Sequence, residues 1–413
     1  MQNLTEEELS QIKEKRKKEL QEEKKQRREE LIEAEKRRRE QSKRAEEAAI
    51  SLGKKSSEWY TNPYYLTFGG LGALLLYVMV MLFMNRAPPL NKTPVIDEKA
   101  IAEHNESSPW SQGASAFWEG ATLLDAKKIF TTSFTTHSNL QQCNTDESIA
   151  IPDSFDARTE WPDCVAGVVD QNRKCDGSYA IALAQTFSER ECIASAERKM
   201  KHYSPQELLS CDLGNHGCKG GALNIAIDYM RVSGLTQETC MPYKGTNDVK
   251  CDSMCTNPEK VRLGSYCVLI GEEAIKREIM KNGPVVGVTQ VYVDFLNYKS
   301  GIYKKNDETP KFSGFTAVKI VGWGVEGEGE GNQGEKYWIV QNTWGSDWGE
   351  NGYARIQEGQ QFPFEQYDFA LITQQQLTKA QMEQQQKAKE AEEQAKKEEV
   401  VPDMDLDDEK DKE

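Results

Sequence analysis

The sequence predicts a membrane-anchored chain: a charged helix, one transmembrane helix, then a disulfide-framed globular domain with an acidic tail. Three observations predict it. Residues 1–63 hold 17 basic and 15 acidic side chains and few apolar ones. Tyr64 to Met84 is a run of 21 residues without a charge. All ten cysteines lie beyond residue 140.

The first segment carries Glu and Lys at i,i+4 spacing, as in Glu14 and Lys18, which supports helix. Its apolar residues, Leu4, Leu9, Ile12, Leu20, Leu31 and Ile32, are too sparse for a heptad seam. A solvated charged helix is therefore expected over a coiled coil. The run "YYLTFGGLGALLLYVMVMLFM" is long enough to cross a bilayer as a helix. Trp59, Tyr60, Tyr64 and Tyr65 crowd one end, where amphipathic rings favour the membrane interface. A cleavable signal would start near residue 1 with a shorter apolar core, so this run reads as an anchor in the lipid bilayer. Residues 85–96, with "APPLNKTPV", read as a Pro-rich spacer.

The net charge of -15 argues against a nucleic-acid partner, because phosphate binding rests on surplus Lys and Arg. An even number of cysteines confined to one region reads as a disulfide framework in an oxidising compartment. Cys251 and Cys255 could begin a zinc site, but no second close pair completes one, so no metal or cofactor is expected. The cysteine-bearing part then faces the oxidising side, leaving the N-terminal helix in the cytosol or the mitochondrial matrix. Two membranes fit: a secretory or lysosome-like one, or the mitochondrial inner membrane with the domain in the intermembrane space. Residues 374–413, rich in Gln, Glu and Lys and then acidic, read as a partly helical and then disordered tail.

From Ile151 the motifs follow a known order. "IPDSFDARTEWPDC", "YSPQELLSCDLGNHGCKGGALNIAIDYM", "NGPVVGVTQVYVDFLNYKSGIY", "FTAVKIVGWG" and "YWIVQNTWGSDWGENGYARI" together resemble the papain family of cysteine peptidases, cathepsin B in particular. The resemblance implies an α+β, two-lobed papain-like fold over 151–373, one lobe helical and one β-barrel-like. Upstream, residues 97–150 look like that family's prosegment, with Trp110 and Phe117 as aromatic anchors. The resemblance also implies the pairs Cys164–Cys192, Cys175–Cys218, Cys211–Cys251 and Cys240–Cys255. Cys143 and Cys267 remain, either paired with each other or free.

The family's chemistry needs a thiolate, an imidazole to pair with it and an Asn to orient the imidazole. In "QNRKCDGSYAIALAQ" the nucleophile position is held by Ser178, and in "GFTAVKIVGWG" the base position by Thr316. Asn342 and Trp344 keep the family's residues, and Gln171 matches its oxyanion-hole donor with one extra residue before Cys175. None of His104, His137, His202 and His216 falls at the base position. A Ser hydroxyl attacks only when a base takes its proton, and Thr316 has no such basicity. The expectation is an inactive homologue, not an enzyme: a membrane-anchored pseudoprotease acting as a structural or interaction subunit among other protein subunits. A peptide-binding receptor or decoy using the cleft is the alternative, and a serine-dependent hydrolase a weaker one. "EGEGEGNQGEK" is expected to be a long solvated loop between two strands.

Overall fold

The computed structural model describes residues 89–134, 140–253, 255–305, 309–329, 332–380 and 382. The charged N-terminal segment, the run expected to span the membrane and most of the tail lie outside these residues. Among the described residues no helix is long and apolar enough to cross a membrane.

The N-terminal part is a chain of short, well-capped pieces. Helix α1 (Glu98–Ser107) starts at Asp97, whose carboxylate accepts from the amides of Lys99 and Ala100. Strand β1 (Ser111–Gln112) follows, and α2 (Leu123–Lys127) opens with a capping box between Thr122 and Asp125. Packing begins inside the segment expected to be a spacer. Val95 is buried, and its amide donates to the Ala121 carbonyl at 2.9 Å, which corrects that boundary.

The domain proper starts with β2 (Phe155–Asp156) and α3 (Ala157–Glu160). Helix α4 (Ser178–Ala194) is buried on nearly every face, and its run of alanines lets neighbours approach closely. Helix α5 (Pro205–Cys211) has Ser204 as N-cap and Pro at its first turn, and α6 (Leu223–Val232) packs beside it. Strands β3 (Leu235–Thr236) and β4 (Lys260–Val261) form a small ribbon. Then come β5 (Ser265–Leu269), α7 (Glu272–Asn282), β6 (Val285–Tyr292), β7 (Tyr298–Ser300), β8 (Ile302–Tyr303), β9 (Lys311–Gly329), β10 (Asn332–Gln341), β11 (Tyr353–Gln357), α8 (Pro363–Gln366) and β12 (Asp368–Ile372).

One eight-stranded sheet runs β5-β12-β6-β9-β10-β11-β8, with β2 added on β9, and it is antiparallel except at β11–β8. The chain is therefore α+β, with two large apolar clusters. One gathers α4, α5 and α6 against Val286, Val288, Ala317 and Phe369; the other gathers the remaining sheet and the N-terminal segment. The loop expected between β9 and β10 is instead mostly ladder. Backbone pairing continues through Glu326 with Glu335 and Glu328 with Gln333. Arg355 bonds both Glu326 and Glu350, which offsets carboxylate repulsion near that hairpin.

All ten cysteines are paired. The four pairs implied by the resemblance are present, and Cys143 pairs with Cys267. Buried ion pairs among the described residues include Glu189 of α4 with Lys319 of β9, and Arg190 of α4 with Glu278 of α7.

Candidate functional site

Ser178 is the first residue of α4 and is fully buried. Its Oγ donates to Asp176 Oδ1 at 3.2 Å and accepts from the Ala317 amide at 3.1 Å. Thr132 Oγ1 lies 3.0 Å away. Thr132 Oγ1 also lies 3.4 Å from Asp176 Oδ1, and either hydroxyl can donate across the Thr132–Ser178 contact. The Ser178 hydroxyl is thus held by three groups, and one of them comes from the N-terminal segment.

The neighbouring positions are equally fixed. Thr316 precedes Ala317 on β9 and is fully buried, and its Oγ1 has no hydrogen-bond partner among the described residues. Asn342 is also buried: its Oδ1 accepts from the Thr343 amide at 2.8 Å while its Nδ2 is unpartnered among the described residues. An orphaned amide donor of this kind costs about 1–3 kcal/mol. Trp344 packs at the same place, its ring stacked with Phe117 and edge-on to Trp118. Gln171 departs from the expected oxyanion-hole role. Its Nε2 donates to the Cys175 carbonyl at 3.0 Å, and its Oε1 accepts from Thr343 Oγ1 at 2.5 Å. The extra residue is accommodated by Asn172 at φ 73°, so the loop folds back on itself and occupies the amide.

The cleft above Ser178 is filled by the chain itself. Residues 131–133 form a strap between two walls. On one side Ser133 bridges Ala222, its amide donating to the Gly221 carbonyl at 2.9 Å and its carbonyl accepting from the Leu223 amide at 3.0 Å. On the other side Thr132 bridges Phe315. Thr131 donates to Asp176 Oδ2 from both its amide and its hydroxyl, each at 2.7 Å. Two glycines make room. A Cβ on Gly220, at φ +90°, would stand 2.2 Å from Thr131 Oγ1, and one on Gly314 would stand 1.5 Å from the Phe130 carbonyl oxygen. Behind the strap, Trp110 meets Tyr298 and Tyr303, β1 pairs with β7, and Trp118 is fully buried against Phe130.

Asp176 and the strap residues Thr131 to Ser133 were not among the sequence-predicted site residues. The signal for Asp176 was available: "CDGSY" places an acid where the family pattern C-G-[SA]-C-[WY] has its first Gly. Burial pushes the Asp176 carboxyl up to about 6, against the lowering effect of its hydrogen bonds from Thr131, Ser178 and Thr132. A carboxyl raised in the folded state adds stability that is fully present below the unfolded value near 4. That contribution fades as pH rises to about 6. The difference in unfolding free energy between the unaltered protein and Asp176→Asn is therefore expected to shift by roughly 2–3 kcal/mol between pH 4 and 7. Urea melts at the two pH values check this, and a pH-independent difference contradicts it.

Among the described residues, no histidine side chain hydrogen-bonds to Ser178, Asp176 or Thr316. His104 packs on Trp110 at the end of α1, and its pKa is lowered by burial. His202 and His216 are exposed, and His137 lies outside the described residues. With every cysteine in a disulfide and Thr at position 316, positions 178 and 316 carry neither thiol nor imidazole. The chemistry the cluster does hold is a serine hydroxyl bonded to a carboxyl.

The sheet, the buried helix headed by the nucleophile position and the Gly-walled cleft define a papain-like fold. The model of the papain family of cysteine proteases matches residues 151–399, and the chain belongs to that family. Cathepsin B-like CP2 of Giardia intestinalis is 35% identical over 51% of this chain and 70% of its own length. The tubulointerstitial nephritis antigen of Bos taurus is 36% identical over 51% of this chain and 50% of its own. Among solved structures, proCathepsin B S9 from Trypanosoma congolense matches with a TM-score of 0.61 at 32% identity, over 68% of this chain and 100% of its own. These relatives overturn the expectation that the chain stands outside the enzymes. Its family is one of peptidases, and two of the three relatives are named as cathepsins, one of them a proform.

Proposed function

We propose that this protein is a single-pass membrane member of the papain family that works as a structural or interaction subunit of a larger membrane assembly, its cleft held by its own strap. The observation that carries the reading is the Thr132–Ser178 contact at 3.0 Å, with both side chains fully buried. A groove closed in this way offers surface rather than access, and the charged extensions at both ends offer further contact area. Five disulfides suit the oxidising side of the membrane, with Tyr64 to Met84 as the anchor. The occupied cleft weighs against a receptor that takes peptides from solution. Native electrophoresis after mild detergent extraction is expected to place the full chain in a species several times its own mass. A free monomer as the sole species would contradict the subunit role.

One observation favours a second reading, serine-dependent hydrolysis once the strap has left. Asp176 lies 3.2 Å from Ser178 Oγ with a carboxyl near neutrality, where a general base is useful. On this reading a fluorophosphonate probe labels the protein after cutting within the strap, and Ser178→Ala abolishes the label. Unlabelled protein after verified strap removal rejects it.

A further inference from the structure

The Cys175–Cys218 disulfide, with Cα atoms 4.3 Å apart, has a lysine next to each of its cysteines in sequence, Lys174 and Lys219. The bridge therefore fixes these two lysines on adjoining loops, and both loops are pinned further. The Lys174 amide donates to Asn172 Oδ1 at 3.1 Å, and the Lys219 carbonyl accepts from Thr131 Oγ1 at 2.7 Å. Both lysines are exposed, and neither pairs with a carboxylate among the described residues. They line a groove of about 700 Å³ between the N-terminal segment and the loop carrying the extra residue, together with Lys128, Asp125, Thr131 and half-buried Arg173. Arg173 donates to the carbonyls of Phe117 and Glu119, bonds that fix its guanidinium without neutralising it. Asp125 is the one acid lining the groove among the described residues, and Lys128 holds it at 2.9 Å. Four cations thus face one carboxylate, and three positive charges stay uncompensated in a chain of net charge -15. A concave surface with this surplus concentrates anions.

The same chain supplies the opposite charge. Residues 402–413, "PDMDLDDEKDKE", hold seven acidic residues and two lysines. We propose that this segment docks in the groove, its carboxylates against Arg173, Lys174 and Lys219. Reach permits it. Twenty residues separate Met382, the last described residue, from Asp403, and a chain of that length extends to roughly 65 Å. The domain to be crossed has a radius of gyration of about 18 Å. Groove and segment both follow the expected anchor at Tyr64 to Met84, which puts them on one side of the membrane. Tethering gives the segment an effective concentration on the order of millimolar, so an intrinsic Kd of that size fills half the grooves. Thr131 is exposed in the groove and bonds Asp176, so the docked segment covers the start of the strap. The contact is ionic and salt releases it, because the Debye length falls to about 4 Å near 0.5 M. It is separate from the subunit role and does not depend on it.

Lysine acetylation of the full-length protein tests the contact. Single-hit labelling with N-hydroxysuccinimidyl acetate gives a rate for each lysine by mass spectrometry, and Lys281, exposed on α7, is the reference. The comparison variant changes all seven acidic residues of 402–413 to Asn or Gln. These substitutions touch no described residue, so the domain beneath is common to both proteins. Relative to Lys281, Lys174 and Lys219 are expected to react at least twofold more slowly in the parent protein than in the variant. Adding about 0.5 M NaCl is expected to abolish the difference. Matching rates in parent and variant at low salt overturn the proposal, and so does protection that survives the added salt. A difference that disappears on tenfold dilution assigns the segment to a second copy of the chain, which overturns it as well.

Discussion

Lys319→Met is expected to cost the domain about 3–5 kcal/mol, because it leaves the Glu189 carboxylate alone in the core. Both partners are essentially inaccessible to solvent. Glu189 Oε1 also accepts from the Ala166 amide at 2.8 Å, while its Oε2 is unpartnered among the described residues. Burial raises the Glu189 pKa and lowers that of Lys319, so each group is held charged chiefly by the other. The pair joins α4, which Ser178 heads, to β9, which carries Thr316 and Ala317. Losing it should therefore loosen the site as well as the fold. The double replacement Lys319→Met with Glu189→Leu removes both charges and is expected to recover most of the loss, since paired apolar substitutes are often neutral. Chemical denaturation of the two variants decides the matter: equal losses in single and double variants would contradict the account.

Gly314→Ala should displace the strap without harming the sheet beneath it. The Cβ would sit 1.5 Å from the Phe130 carbonyl oxygen, a backbone atom that no rotamer change can move aside. Gly314 does not use a positive φ, so the alanine itself is unstrained and the clash is with the strap alone. Overpacking of this kind costs about 1–3 kcal/mol, which lowers the melting temperature by roughly 3–10 °C. Limited proteolysis should then cut within residues 129–134, where the parent protein resists. A variant that melts normally and stays uncut there would mean that the strap does not lie on Gly314.

Much of this was legible in the sequence, and the remainder failed for identifiable reasons. The order of motifs from Ile151 to Ile356 gave the fold, and the C-G-[SA]-C-[WY] pattern located Ser178. The anchors Trp110 and Phe117 were visible because large aromatics stand out. Thr131 to Ser133 were not, since a short polar run has no periodicity and its partners Asp176 and Gly221 are 40 or more residues away in sequence. The buried Lys319 could not be paired from sequence either. In "FTAVKIVGWG" a lysine looks like an outward strand residue, and nothing local couples it to Glu189 in the helix. Gln171 misled because spacing shows an insertion but not where the backbone turns to absorb it. Cys143 was left open for a similar reason: its partner depends on residues 141–143 lying along β5, a tertiary fact.

Amide hydrogen exchange on the full-length protein tests the central claim most directly. The Ser133 amide, bonded to the Gly221 carbonyl, and the Ala317 amide, bonded to Ser178 Oγ, report the strap and the site beneath it. A strap seated in the cleft predicts slow exchange at Ser133, on the scale of the β6 and β9 core. Exchange at Ser133 as fast as in an unfolded peptide, with β6 still protected, would show an open cleft and contradict the account.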